Sequence, residues 1–104
     1  MTNQETYTPE QAIRYSDCYA SLKTVNNHAT LYLVQVERDK NAGLLIDPVE
    51  INVPLHALRT SLERFEREVP QGFREQEAAK NEVKNAKSLL EKFKDLAGKD
   101  DIIG

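Results

Sequence analysis

Cys18, His28 and His56 are the side chains of this 104-residue sequence best suited to nucleophilic or general-base chemistry, and their spacing decides whether they can cooperate. Cys18 and His28 stand ten positions apart on what read as different elements. His56 precedes Thr60 by one helical turn, near Ser61, with no carboxylate placed to orient its imidazole. Cys18 is therefore expected as a small half-buried apolar residue and His56 as a surface residue of a first helical turn. One cysteine and two histidines fall short of the four ligands of a structural zinc site, and a lone cysteine closes no disulfide within the chain. No catalytic residue, no metal ligand and no cofactor is expected, and the chain reads as a protein that is not an enzyme.

Gly43, Gly72, Gly98 and Gly104 never cluster, so the sequence has neither a glycine-rich phosphate loop nor a dinucleotide fingerprint. Asp100-Asp101 falls beyond the expected end of the last helix, and Asp47 and Glu50 flank an expected strand; neither pair has the spacing of a calcium loop. The more suggestive charges are Lys80, Lys84 and Lys87, with Lys94 one heptad after Lys87 and Arg74 ahead of them. They form a basic line along one helix, able to face the phosphates of a nucleotide or another small anion. The competing role is a solvated flank whose aliphatic stems cover the apolar seam beside it. Tyr7, Tyr15, Tyr19 and Tyr32 could stack bases, but a helix stripe and an apolar strand favour packing.

Composition narrows the partners. Residues 1–53 hold 4 basic and 7 acidic groups and residues 54–104 hold 10 of each, so neither half has the positive excess of a duplex-binding module. Nucleic acid is an unlikely partner on this count. No window approaches the ~20 apolar residues of a bilayer span, and the first residues lack a basic stretch followed by an apolar run. A soluble cytoplasmic protein, in a reducing compartment, is expected. At 11.8 kDa the folded chain should expose ~5,900 Å², about a third of its extended surface, which leaves a modest core for one domain spanning 1–104.

The elements that must position these residues follow from periodicity. After a flexible stretch over 1–7, Thr8-Pro9-Glu10-Gln11 carries a capping box with proline at the first helical position, and Ala12, Tyr15, Tyr19 and Leu22 continue one stripe. This predicts a helix over 8–25, ended by the turn-formers Asn26-Asn27, although residues 19–25 also read as an extra strand. Residues 29–37 are rich in β-formers, residues 38–43 are polar and end in glycine, and Val49 to Val53 alternate. Together they predict a β-hairpin over 29–53, bulged or at an edge near Pro48.

Pro54 then opens a helix over 54–69 on the seam Leu55, Leu58, Leu62, Phe65 and Val69. Residues 73–97 form a long coiled-coil-like helix on the seam Ala79, Val83, Ala86, Leu90, Phe93 and Ala97, with Gly98 as its stop and a tail over 98–104. The fold class is thus α+β: an N-terminal helix, a β-hairpin and an antiparallel helical hairpin. The segment from Val53-Pro54 through Glu77, Ala79-Lys80 and Ala86-Lys87 resembles helical hairpins that follow β-elements in accessory regions of large bacterial helicase-like proteins. That resemblance covers about half the chain and carries no diagnostic motif, so it implies no function.

The expected last helix outruns its neighbour by about 15 Å, and Leu89 and Leu96 widen its apolar surface beyond a two-helix seam. Leu89, Leu90, Phe93 and Leu96 are therefore the expected interface of a homodimer or higher homo-oligomer, with Ile102 and Ile103 as a possible docking tail. The function expected is a non-enzymatic interaction or small regulatory protein, acting on itself and on another protein. The alternative is an oligomer that binds a small anionic ligand or nucleotide through Arg74, Lys80, Lys84 and Lys87.

Overall fold

Thr8 opens the first helix as its residue type predicts. Its hydroxyl accepts from the Gln11 amide at 3.1 Å, and the Gln11 side chain accepts from the Thr8 amide at 2.9 Å. The structure, a computed structural model, describes residues 7–100. From that cap, α1 runs through Pro9–Asn41, 33 residues without interruption. Its stop is a complete Schellman motif. Gly43 takes φ +79°, its amide donates to the Lys40 carbonyl, and the Leu44 amide donates to the Asp39 carbonyl.

A short connector leads to Asp47, whose carboxylate accepts from the Val49 amide and caps α2, Pro48–Glu68. Ile46 and Ile51 hold the N′ and N4 positions of a hydrophobic staple, and both pack into the core. The single turn α3, Gln71–Arg74, bridges to α4, Glu77–Asp100.

The α+β expectation is overturned: the described residues form helices joined by short connectors, with no strand among them. Residues 29–41 continue α1 and residues 48–53 begin α2, so no β-hairpin exists over 29–53 and no β-element precedes the helical pair. The physical reason is a seam that does not stop at Asn26. Tyr15, Tyr19, Leu22, Asn26, Ala29, Leu33 and Val36 step by four and three through the whole helix, and the last five are buried. Burial along this face overrides the β-propensity of Leu31-Tyr32-Leu33-Val34. Pro54 likewise lies buried inside α2 rather than opening it, because the Asp47 cap and the fully buried Ile51 start the helix six residues earlier. At the other end, α4 continues past Gly98 to Asp100. The expected flexible stretch falls mostly on residues 1–6, and Asp101, Ile102, Ile103 and Gly104 follow α4; all of these lie outside the described residues.

The three long helices share one core. The α2 seam places Ile51, Leu55, Leu58, Leu62, Phe65 and Val69 against α1 and α4, while α4 contributes Ala79, Ala86, Leu89, Phe93 and Ala97. Arg64 meets Asp17 at 3.5 Å and Lys87 meets Glu66 at 3.8 Å, which sets α1 antiparallel to α2 and α2 antiparallel to α4. Asn26 meets Glu82, so α1 and α4 run parallel. One turn beyond that pair, Ala29 and Ala86 are both buried, and their small side chains let the two helices approach closely.

Helix lengths also revise the mismatch expected from the sequence. At 21 and 24 residues, α2 and α4 differ by only about 5 Å; the long member is α1, at ~50 Å. Its first turns are covered by Phe73 of the α3 segment, whose ring meets Tyr15 edge-on at 5.8 Å, while Tyr7 meets the same ring at 5.1 Å. The result is a rod of 55 × 23 × 18 Å with a surface of 6946 Å², about 1,000 Å² above that expected for its mass.

Candidate functional site

The side chains suited to nucleophilic chemistry are not brought together. Cys18 is 2% exposed, on the core face of α1. Burial pushes its thiol above the ordinary value; Arg64 opposes that shift, and the Glu68 and Asp17 carboxylates add to it. A thiol held neutral in this way is a poor nucleophile. His28 and His56 are both exposed. His56 faces Thr60 across 3.5 Å and lines an α1–α2 groove with Ser21, Thr24 and Ser61. The carboxylate in that groove, Asp17, pairs with Arg64, eight residues or ~12 Å along α2 from His56. The one carboxylate of that groove is thus engaged away from the imidazole. Among the described residues no group of histidine, cysteine and carboxylates could hold a metal ion.

The expected interface residues lie within the chain's own core. Leu89 and Phe93 are buried, and Leu90 and Leu96 are half-buried against the same cluster. A three-helix core explains the breadth of the α4 apolar surface that the sequence presented as spare.

Exposed apolar surface lies instead around the connector between α1 and α2. Eight large hydrophobic side chains are exposed among the described residues, and seven of them fall between positions 31 and 53. Leu31, Tyr32 and Val34 lie on α1, Leu44 and Leu45 in the connector, and Val49 and Val53 on the first turns of α2. Leu45 is 98% exposed. The antiparallel pairing of α1 and α2 brings the end of α1, the connector and the first turns of α2 together at one end of the hairpin. Sequence reading missed this site because it placed the same residues in a sheet, where alternate ones would be covered.

The basic line is gathered, together with a residue the sequence left apart. Arg74, Lys80, Lys84 and Lys87 line one groove of about 610 Å³, along with Glu66, Glu77, Asn81 and Val83. Phe73, anchored against Tyr15, holds the α3 turn so that Arg74 closes the end of the groove. The Arg74 Nε is buried without a hydrogen-bond partner. Lys94 stands apart, over the second half of α4.

Compared with known proteins, the chain matches no family model, no curated protein and no solved structure. Its function must be read from these two surfaces. No helix among the described residues is long and apolar enough to cross a membrane.

Proposed function

We propose that this chain is a non-enzymatic interaction module that associates with a second copy of itself through the tip of the α1–α2 hairpin. The observation that carries the reading is the concentration of exposed apolar side chains at that one end. Scattered single hydrophobics are ordinary on a protein surface, whereas a contiguous patch beyond a few hundred Å² marks an association site. Seven large side chains between positions 31 and 53, each from two fifths to almost fully exposed, set that end apart from the other described residues, where Ile13 is the other large apolar side chain so exposed.

The rim of the patch favours a second copy over an unrelated partner. Arg38 stands one heptad beyond Leu31 on the same α1 face, and Asp47 and Glu50 stand in the first turn of α2. A two-fold arrangement that set Arg38 of one protomer opposite Asp47 or Glu50 of the other would have the self-complementarity an isologous dimer requires. Regulation of another protein would follow from what the dimer presents or hides, and a cytoplasmic, reducing setting suits the single buried thiol.

Amide chemical shifts recorded against protein concentration test the reading. The expected result is shifts confined to residues 31–53 that vanish in Leu45→Glu. Shifts confined to α4, or none at any concentration, would overturn it.

A further inference from the structure

The groove between the end of α2, the α3 turn and the first half of α4 has an uncompensated charge pattern. Lys80 and Lys84 are an i,i+4 pair of like sign, which destabilises a helix, and Lys84 and Lys87 repeat it at i,i+3. Lys87 is engaged by Glu66 at 3.8 Å, and Glu77 is the other carboxylate in the lining, so four cations face two acids. Arg74 adds a buried guanidinium nitrogen with no hydrogen-bond partner, a group whose desolvation nothing in the structure offsets. The repulsion among the lysines would be relieved by one small anion seated between α3 and α4, with Arg74 in the same lining.

We propose that this groove binds a small phosphomonoester carrying hydroxyl or amino donors, with its phosphate between Arg74, Lys80 and Lys84. A guanidinium takes phosphate through two parallel hydrogen bonds, and the two lysines add point charges without fixed direction. Glu77 and Asn81 supply acceptors for the donors of the ligand, and Val83 gives an apolar contact. The groove volume of about 610 Å³ lies within the range of small-molecule sites. The site lies between α2, α3 and α4, and none of its lining residues is among the exposed apolar side chains of the α1–α2 hairpin, so its failure would leave that reading untouched.

Thermal melts with AMP, inorganic phosphate, and potassium chloride at matched ionic strength test the site. The melting midpoint rises by about 5 °C at a tenfold excess of AMP over its dissociation constant, less with phosphate, and not at all with chloride. Lys84→Glu, at an exposed position, keeps the unliganded midpoint and helicity and loses the AMP shift, while Lys94→Glu, outside the groove, keeps it. Phosphorus NMR of AMP titrated with the wild-type chain gives a second readout that no variant can spoil by misfolding: the resonance broadens and moves. An equal shift with chloride, an unmoved phosphorus resonance, AMP binding by Lys84→Glu as tight as wild type, or equal affinity for an oligonucleotide lacking a terminal phosphate would overturn the proposal.

Discussion

The side-chain amide of Asn26 donates to the main-chain carbonyl of Glu82 at 2.9 Å and to the Glu82 carboxylate at 2.8 Å, tying the middle of α1 to the start of α4. Asn26 is 3% exposed and is the buried polar side chain in an otherwise apolar seam. Its own Oδ1 has no partner, a cost of about 1–3 kcal/mol that an apolar residue would avoid. One polar residue at a seam position characteristically fixes the register of neighbouring helices at the expense of stability.

Asn26→Asp should therefore be severe where Asn26→Leu is mild. The aspartate sets a buried carboxylate against the half-buried Glu82 and should destabilise the fold by about 3 kcal/mol at neutral pH. Because burial and the like charge raise the acid's pKa in the folded state, the loss is present above that pKa and recovered as pH falls through it. Urea denaturation at pH 7 and pH 4 checks both the size and the sign. A leucine variant less stable than the aspartate one would show that the register device is misread.

Phe93 is assigned to the core of a single chain. Phe93→Ala should lower the unfolding free energy by about 3–5 kcal/mol at every protein concentration. A loss that disappears in concentrated samples would instead place this side chain between protomers.

Gly43 occupies a conformation that costs other residues about 1 kcal/mol, although open space surrounds its α-carbon. Gly43→Ala should lose about that much stability through backbone strain alone, as read by thermal melts. No loss would mean the α1 stop is not held at positive φ.

Cys18 should be unreactive toward iodoacetamide at pH 7.5 until urea unfolds the chain, since burial disfavours its thiolate. The folded thiol has the raised pKa, so this group withdraws stability as pH climbs above the ordinary thiol range, where the unfolded chain alone ionises. Labelling at the same rate with and without urea would place Cys18 at the surface.

Much of the bundle was legible because its signals are periodic. The Thr8 cap, the Leu55 to Val69 seam and the Ala79 to Ala97 seam all stand where the sequence puts them. The middle of the chain was not legible, for two local reasons. Asn26-Asn27 has turn chemistry, yet Asn26 finds partners 56 residues away, at Glu82, that no local pattern announces. Leu31 to Val36 mixes β-branched residues with an uninterrupted 3.5-residue period, and the tertiary burial of Leu33 and Val36 decides between the two. The charged groove was half visible: the line of lysines could be read, but the fold alone adds Glu66 beside them. The apolar tip was hidden by the strand assignment over the same residues.

Self-association is the claim on which the functional reading rests, and sedimentation equilibrium from low to high micromolar concentration tests it most directly. The account predicts a mass that rises from 11.8 kDa toward twice that value, with Leu45→Glu held at the lower value and its helicity unchanged. A wild-type chain that remains at 11.8 kDa throughout would contradict it.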